Sequence, residues 1–295
     1  MRIIIASEIG FCSGVRHAIT TAEKALQSKQ LVASADTLLH NAGEMERLES
    51  LGLKRALSLD SDVLKNADVL LPTHGSTIAE YADWNRRAST IQDLTCPIVN
   101  RAHGVARRFA AGELPVIVVG DRDHRETRYL MEAAGNQLAG VVGSLDDVDR
   151  LIIGKRRVGV VYQTTQSREF RRRVLDRLHG AGVEVVEEMT LCPEVLRRQD
   201  ETAAVARISS VVLVLGDPTS ANTVRLVAVA HEECLRTHLV SVPSEVAALA
   251  LECSDTIGIV SGTSCPQRVI DGVLEELKGM CTEVSVVTHS LTSST

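Results

Sequence analysis

The sequence predicts an α/β fold built from three modules with parallel sheets. Short apolar runs alternate with stretches of helical periodicity along the whole chain. A cysteine recurs at the start of a predicted helix, at Cys12, Cys96 and Cys192, with separations of 84 and 96 residues, about one α/β module each. The 295 residues are 44% hydrophobic and 24% charged, values typical of globular proteins. Three modules that each offer one cysteine would suit a pseudo-threefold assembly.

The predicted strands are short, continuously apolar and mostly β-branched, as expected of parallel strands buried on both faces. They are Arg2–Ala6, Asp68–Leu71, Pro115–Val119, Val158–Tyr162, Ser210–Leu215 and Thr256–Val260. The predicted helices between them place apolar residues on one face. They are Val15–Leu26, Ile98–Phe109, Phe170–Leu178, Glu194–Arg207 and Val269–Leu277. This alternation predicts parallel sheets with helical crossovers.

No low-complexity linker divides the chain, so the recurring cysteines set the predicted boundaries. The predicted modules are 1–95, which contains Cys12, 96–191, which contains Cys96, and 192–282, which contains Cys192. Residues 283–295 are expected to form a polar tail.

Composition excludes several classes of function. A net charge of −6 argues against nucleic-acid binding, and 2% aromatic residues argue against base stacking. No apolar run reaches the roughly 18 residues of a membrane helix, and the N-terminus lacks a signal sequence. We therefore expect a cytoplasmic protein with reduced thiols. Seven cysteines, an odd number, also argue against a disulfide framework, so Cys234, Cys253 and Cys281 are expected to be packing residues.

The recurring cysteines suggest a metal centre. Proline follows Cys96 and Cys192 directly, which favours a helix start there. A helix N-terminus favours a thiolate, and three thiolates could hold an iron–sulfur cluster with one iron left open. The alternative is three buried apolar cysteines. Cys265 also precedes a predicted helix and could be a fourth ligand.

Polar loops follow five of the predicted strands and offer groups that suit an anion. Ligands in open α/β sheets bind beyond the carboxyl ends of the strands. The candidate residues are His40, His74, His124, Thr164, Ser220, Asn222 and Ser264. With helix N-termini they could neutralise and orient phosphate oxygens. The alternative for each hydroxyl or amide is a turn former or a helix cap.

Glu126 lies two residues after His124 and is a candidate proton donor. A carboxyl group in a water-poor pocket has a raised pKa and can act as a general acid. The Thr164 hydroxyl could relay its proton. The alternative for Glu126 is a solvated loop residue. Neither a GxGxxG fingerprint nor a P-loop occurs in the sequence.

Nine short motifs in one order resemble the LytB/IspH family of 4-hydroxy-3-methylbut-2-enyl diphosphate reductases. The resemblance covers residues 1–280. The motifs are Gly10–Val15, Leu39–Asn41, His74-Gly75, Thr95–Pro97, His124–Glu126, Gln163–Thr165, Cys192 with Arg198-Gln199, Ser220–Asn222 with Arg225-Leu226, and Gly262–Ser264.

The resemblance implies three α/β modules around a central cavity and a 4Fe–4S cluster on Cys12, Cys96 and Cys192. It implies that the diphosphate is held by histidines and small polar residues, and that Glu126, assisted by Thr164 and His124, supplies protons. The substrate hydroxyl would leave as water after uptake of two electrons, giving isopentenyl and dimethylallyl diphosphates. A ferredoxin or flavodoxin would donate the electrons.

This chain departs from the family pattern at several positions. Ala221 replaces a second serine, and Arg125 replaces a proline; Pro193 and Cys265 also differ from the usual residues. Two alternatives therefore remain open at this stage. One is a paralogue that uses the same cluster and scaffold on another hydroxylated or phosphorylated substrate. The other is a non-enzymatic iron–sulfur redox sensor.

Overall fold

The fold was determined as a computed structural model that describes residues 1–28, 31–154 and 156–289. The strands are β1 (Arg2–Ala6), β2 (Val32–Ser34), β3 (Lys54–Arg55), β4 (Asp68–Leu71), β5 (Thr90–Asp93), β6 (Val116–Val119), β7 (Leu138–Val142), β8 (Arg157–Tyr162), β9 (Glu184–Glu187), β10 (Val211–Leu215), β11 (Thr237–Val240), β12 (Thr256–Ser261) and β13 (Ser285–His289). The helices are α1 (Ser13–Ser28), α2 (Ala42–Ser50), α3 (Ser61–Leu64), α4 (Ile78–Arg87), α5 (Pro97–Ala111), α6 (Arg125–Ala134), α7 (Leu145–Leu151), α8 (Arg168–Gly180), α9 (Pro193–Arg207), α10 (Ala221–Glu233) and α11 (Gln267–Met280).

The chain forms two compact units. The terminal unit comprises Met1–Arg16, His40–Glu44 and Pro193–Thr295, and the central unit comprises His17–Leu39 and Met45–Cys192. The terminal unit holds one five-stranded sheet, in the order β11-β10-β12-β1-β13. The central unit holds two four-stranded sheets, in the orders β3-β2-β4-β5 and β7-β6-β8-β9. All strand pairs are parallel, which confirms the predicted α/β class with three parallel-sheet modules.

The three sheets share one strand order. In each sheet the first strand of the segment lies between the second and the third, and the fourth lies beside the third. In the terminal unit the fourth strand is β1, from the start of the chain, and β13 is added beyond it. The division into residue ranges 1–95, 96–191 and 192–282 stays a prediction. β1 falls in the first of these ranges, but it lies in one sheet with strands of the third range, β10, β11 and β12.

Buried apolar strands form the centre of each sheet. Val211–Leu215 of β10 and Val116–Val119 of β6 are fully buried, with no exposed surface. These β-branched runs pack against the apolar faces of the flanking helices, such as Val105 of α5 and Leu226 of α10. The six strands predicted from such runs form within one residue of their predicted ends. The remaining strands were not predicted because they lie at the edges of the sheets or, like β2, are only three residues long; the edge strand β5 reads Thr-Ile-Gln-Asp.

Two expectations about the C-terminal region are wrong. Residues 285–289, expected in a polar tail, form β13, which pairs with β1 from Arg2↔Ser285 to Ala6↔His289. Residues 290–295 of that expected tail lie outside the described residues. Cys253 and Cys281, expected to be reduced packing residues, form a disulfide with their Cα atoms 5.7 Å apart. The odd number of cysteines excluded only complete pairing, and 28 residues separate the two partners in sequence.

Across residues 1–28, 31–154 and 156–289, the structure contains no helix that combines the length and the apolar character needed to cross a membrane.

Candidate functional site

The same local arrangement surrounds each of the three recurring cysteines. Each follows the fourth strand of its sheet, and each donates its backbone N–H to the carbonyl oxygen of a threonine. The pairs are Cys12 with Thr263 at 3.0 Å, Cys96 with Thr73 at 3.0 Å and Cys192 with Thr164 at 2.9 Å. Each threonine lies in the polar loop after the third strand of the same sheet. The fold therefore repeats one cysteine-presenting device three times, once in the terminal unit and twice in the central unit.

Each of these cysteines also begins a helix. Cys12 and Cys96 accept the first helical hydrogen bonds of α1 and α5 through their carbonyl oxygens, from Arg16 at 2.9 Å and from Asn100 at 3.0 Å. The Cys12 Sγ accepts a further hydrogen bond from the N–H of Val15 at 3.4 Å. The three side chains are half-buried. Each cysteine therefore lies at the helix end that carries the unpaired backbone N–H groups and the positive end of the helix dipole.

Cys265 has a different environment and is a packing residue. It is fully buried among apolar side chains of the terminal unit, including Ile270 and Val273. Burial raises the pKa of the Cys265 thiol to about 12, despite the nearby charges of Arg198 and Arg268. The environment favours a neutral thiol, so the structure gives no support to a fourth cysteine ligand at this position. Cys234 is also buried, in an apolar cluster that includes Val212 and Leu226. This agrees with its expected role as a packing residue.

The central unit contains a buried carboxyl group that titrates near neutrality. Glu126 is 1% exposed. Its Oε1 accepts a hydrogen bond from the Thr164 N–H at 2.5 Å, and its Oε2 accepts one from the Thr164 Oγ1 at 3.0 Å. Burial raises the pKa of Glu126 to about 7, and the two hydrogen bonds from Thr164 offset this only in part. The expected pairing of Glu126 with Thr164 is therefore present in the structure, whereas the solvated-loop alternative is wrong.

Two histidine rings meet in the central unit, and one of them, His124, lies two residues before Glu126. The rings of His74 and His124 meet edge to face, with centroids 5.6 Å apart. His124 is the N-cap of α6, because its Nδ1 accepts the N–H of Glu126 at 3.2 Å. In the neutral ring the proton therefore resides on Nε2, which is a donor. His74 lies beside Thr73, whose hydroxyl donates to the Leu38 carbonyl oxygen at 2.9 Å.

In the terminal unit, Asn222 is a buried amide with unused hydrogen-bonding capacity. Its side chain is 2% exposed, and neither Oδ1 nor Nδ2 has a hydrogen-bond partner among the described residues. Buried polar atoms without partners are rare in folded proteins, because each costs about 1–3 kcal/mol. Asn222 lies in the first turn of α10, behind the N-cap Ser220, whose Oγ accepts the N–H of Thr223 at 3.4 Å. The Asn222 amide therefore keeps the capacity to hydrogen-bond a further polar group.

The first turns of α6 and α10 are built alike. His124 and Ser220 are their N-caps, Glu126 and Asn222 occupy the second helical position, and threonines occupy the third. A glycine lies four residues before each N-cap. A methyl group added at Gly120 would lie 2.7 Å from Thr127 Oγ1, and one added at Gly216 would lie 2.6 Å from Thr223 Oγ1. Only glycine allows this close approach of strand end and helix.

Ser264 and His40 complete the terminal unit's set of predicted residues. Ser264 is buried in the loop after β12, directly after the threonine that accepts the Cys12 N–H. His40 precedes Asn41, whose Oδ1 caps α2 by accepting the N–H of Glu44 at 2.8 Å. The cap interpretation thus holds for Ser220 but not for Asn222, and Asn41 is a further helix cap that was not predicted from the sequence.

Sequence reasoning missed Asp217, which faces His40. One carboxylate oxygen accepts the Ala42 N–H at 2.8 Å, and the other accepts the Thr219 N–H at 2.8 Å and its hydroxyl at 2.6 Å. Burial opposes ionisation, but these hydrogen bonds and the charge of His40 lower the pKa of Asp217 below its ordinary value. The position of Asp217 directly after Gly216 at a strand end was the available signal.

The predicted residues thus divide between the two units. The central unit holds His74, His124, Glu126 and Thr164 with Cys96 and Cys192, and the terminal unit holds His40, Ser220, Asn222 and Ser264 with Cys12. Within the described part of the chain, no group of three or more His, Cys, Asp or Glu side chains is arranged to hold a metal ion.

Fold and site together define a class of α/β proteins with three parallel sheets and one helix-capping cysteine per sheet. The chain belongs to the LytB family: residues 3–278 match the family described as LytB protein. It is similar to a protein from Geobacter sulfurreducens named 4-hydroxy-3-methylbut-2-enyl diphosphate reductase, with 34% identity over 278 residues, covering 94% of this chain and 97% of the relative. This family membership confirms the resemblance seen in the sequence.

Solved structures show the same likeness. One is a structure of (E)-4-hydroxy-3-methyl-but-2-enyl diphosphate reductase, described as the terminal enzyme of the non-mevalonate pathway. It is 27% identical, with a TM-score of 0.66, and covers 94% of this chain and 99% of that chain. A second, the E-1-hydroxy-2-methyl-but-2-enyl-4-diphosphate reductase from Plasmodium falciparum, has a TM-score of 0.87 at 21% identity and supports the fold alone. It covers 99% of this chain and 93% of that chain.

Proposed function

We propose that this protein is an iron–sulfur oxidoreductase that reduces 4-hydroxy-3-methylbut-2-enyl diphosphate to isopentenyl and dimethylallyl diphosphates in isoprenoid precursor synthesis. The reaction consumes two electrons and two protons, breaks the allylic carbon–oxygen bond and releases water. The names of the relatives supply the substrate, and the buried, protonatable Glu126 is the observation that carries the chemistry.

Glu126 is proposed as the proton donor. With a pKa of about 7, a substantial fraction of this carboxyl group is protonated at neutral pH. A general acid works best when its pKa lies near the operating pH. The Thr164 hydroxyl, 3.0 Å from Oε2, is placed to pass the proton on or to orient it. His124, whose Nε2 is a donor in the neutral ring, would hold an oxygen of the substrate. A leaving hydroxyl that takes up a proton departs as water.

The substrate's diphosphate is proposed to be recognised by hydrogen-bond donors at strand ends and helix starts. The proposed substrate-binding residues are His40, His74, His124, Thr164, Ser220, Asn222 and Ser264. The Asn222 amide supports this role, because Nδ2 is buried without a hydrogen-bond partner in the described structure and an anionic oxygen would satisfy it. The Ser220 hydroxyl uses an acceptor lone pair for capping, so its proton remains available for donation. Backbone N–H groups at the start of α10 add to the attraction for anions.

The three recurring cysteines are proposed as the protein ligands of an iron–sulfur cluster. Cys12, Cys96 and Cys192 share one backbone arrangement and the start of a helix, and thiolates are the usual ligands of such clusters. When bound by these three cysteines, a 4Fe–4S cluster would supply the electrons and an open iron for the substrate's hydroxyl. We propose that the enzyme is cytoplasmic and that a ferredoxin or flavodoxin is its electron donor. Neither the paralogue nor the sensor has a specific observation in its favour.

The test is anaerobic reconstitution with iron and sulfide, followed by turnover with 4-hydroxy-3-methylbut-2-enyl diphosphate and dithionite. We expect a loaded cluster and formation of both five-carbon diphosphates. Cys12→Ser, Cys96→Ser and Cys192→Ser should each lower the iron content and abolish turnover. Cys234→Ser is the matched control, because that thiol is buried in an apolar cluster and should leave both properties unchanged.

Two results would contradict the proposal. A fully loaded protein that neither turns over the substrate nor changes its cluster spectrum on adding it would exclude this activity. The ligand assignment would be contradicted if the wild-type protein took up little iron and none of the four cysteine substitutions changed its iron content.

A further inference from the structure

The residue between His124 and Glu126 is a half-buried cation that no catalytic role explains. The Arg125 side chain is only 20% exposed. Its Nη1 donates to both carboxylate oxygens of Glu80, at 3.1 and 3.2 Å, and its Nη2 donates to Asp36. All three residues belong to the central unit, and they come from different segments: the first turn of α6, the first turn of α4 and the loop after β2.

The partners of Arg125 are themselves fixed. Glu80 closes a capping box at the start of α4, where its Oε2 accepts the N–H of Thr77 at 2.8 Å and the Thr77 hydroxyl at 3.1 Å. The Thr37 N–H donates to Asp36 Oδ1 at 2.7 Å. A planar guanidinium held by two restrained carboxylates has little freedom, because its donors form a rigid fork.

Two further contacts lie on the same face of α6. Tyr129, one turn after Arg125, packs its ring over Gly75, where an added methyl group would lie 2.3 Å from a ring carbon. Gly75 has φ +89°, a conformation that favours glycine. Glu132, three residues further, accepts the N–H of Ile78 at the start of α4, at 2.8 and 3.0 Å. The spacing of 125, 129 and 132 is that of one helical face.

The opposite face of α6 carries the proposed acid. Glu126, Thr127 and Leu130 are buried on that side. α6 therefore carries Glu126 on one face, and its other face contacts the segment from Gly75 to Glu80. The edge-to-face contact between His74 and His124 lies at the junction of these two parts.

We propose that Arg125 is a positioning residue that locks the His124–Glu126 segment to α4 and to the loop after β2, and so fixes His124 against His74. This inference rests on the proposed function for its catalytic consequence, since Glu126 must deliver a proton to a substrate that the histidines orient. Misplacement of reacting groups by about 1 Å can cost a hundredfold in rate. Loss of one of several restraints should cost less, about tenfold in kcat.

The test compares Arg125→Met with Arg128→Met, a matched control on the same helix whose side chain is exposed. Glu80→Gln is a second variant that removes the charge but keeps the capping box, because glutamine caps as glutamate does. The first readout is the proton–proton Overhauser contact between the His74 and His124 rings in substrate-free protein. The second is the kcat and KM of the reconstituted enzyme.

We expect Arg125→Met and Glu80→Gln to weaken the His74–His124 contact and to lower kcat about tenfold with little change in KM. The double variant should be little worse than either single variant, and Arg125→Lys should restore part of the loss. Arg128→Met should behave as wild type.

The proposal is overturned if Arg125→Met and Glu80→Gln keep both the ring contact and kcat at the level of Arg128→Met. Absence of turnover in the wild-type protein would instead remove the proposed function. In that event the ring contact in substrate-free protein still decides whether Arg125 positions the segment.

Discussion

α6 and α10 each follow the first strand of their segment, in two sheets of the same strand order. Their first turns nevertheless carry side chains of different chemistry. In α6 of the central unit, the second helical position is Glu126, a carboxyl group whose two oxygens both accept hydrogen bonds from Thr164. In α10 of the terminal unit, the same position is Asn222, an amide whose two polar atoms lack hydrogen-bond partners in the described structure. Both side chains are almost completely buried.

The same strand–loop–helix unit can therefore carry side chains with two different functions. A proton donor needs a buried carboxyl group with a raised pKa, and neighbours that hold it in one orientation. An anion-binding group instead needs donors that the folded protein has not already used. The repeated strand–loop–helix unit supplies the position, and the neighbouring side chains decide which task it performs.

The largest expected effect is on turnover when the acid is removed from the central unit. Glu126→Gln keeps the size of the side chain, but it replaces one of the two acceptor oxygens by an NH2 group and cannot donate an acidic proton. Removal of a general acid typically costs a factor of 10² to 10⁴, so we expect kcat to fall by about that factor. Substrate affinity, measured by equilibrium binding, should change little. The control is Asp123→Asn, an exposed residue three positions earlier; an equal loss in both variants would contradict the assignment.

A covalent restraint in the terminal unit provides the next prediction. The Cys253–Cys281 disulfide closes a loop across 28 residues and should contribute about 3–4 kcal/mol to the free energy of unfolding. Reductant should therefore lower the urea midpoint of the wild-type protein, and hydrogen exchange should show loosening in α11 and β13 but not in α6. Cys253→Ser with Cys281→Ser should already have the lower midpoint and should not respond to reductant. A wild-type midpoint unaffected by reductant would exclude a stabilising disulfide.

The raised pKa of Glu126 also predicts how stability depends on pH. In the unfolded chain this group ionises near its ordinary pKa of about 4.5, and in the folded protein near 7. Between these values the folded state binds the proton more tightly, so its stability falls as pH rises and levels off above about 7. The full effect is about 3 kcal/mol, from 1.36 kcal/mol per pKa unit. Denaturant titrations from pH 5 to 8 should show this slope for wild type relative to Glu126→Gln; parallel curves would contradict the raised pKa.

The smallest effects come from a pair of asparagines in the terminal unit. Asn222→Leu removes an amide without hydrogen-bond partners, so it should leave the free energy of unfolding unchanged or raise it by up to about 1 kcal/mol. It should weaken diphosphate binding about tenfold, equivalent to roughly 1.4 kcal/mol. Asn41→Leu removes a helix cap and should cost about 1 kcal/mol of stability. Asn222→Leu would refute the ligand-binding role if it destabilised the protein as Asn41→Leu does and left binding unchanged.

Much of this architecture could be predicted from local sequence. Buried runs such as Val211–Leu215 are apolar throughout, so they reveal strands without knowledge of their partners. The cysteine-before-helix pattern likewise predicted three related modules. The edge strand β13 was missed because an exposed strand carries no continuous apolar signal, and its pairing with β1 joins the two ends of the chain.

The candidate site was predictable in its residue types but not in its pairings. The sequence suggested that Glu126 and Thr164 act together, but not that Thr164 also anchors Cys192 through its carbonyl oxygen. The ion pairs of Arg125 link positions 45 and 89 residues apart, and no local pattern reveals them. Such long-range polar contacts depend on tertiary packing, which short motifs do not encode.

The protonation of Glu126 can be measured directly by a pH titration of its carboxyl group with infrared difference spectroscopy, with Glu126→Gln as the reference. We predict a protonated carboxyl band that disappears with a midpoint near pH 7 and is absent from the variant. A midpoint near 4.5, the value of a solvated glutamate, would contradict the claim that the central unit holds a proton donor ready at neutral pH.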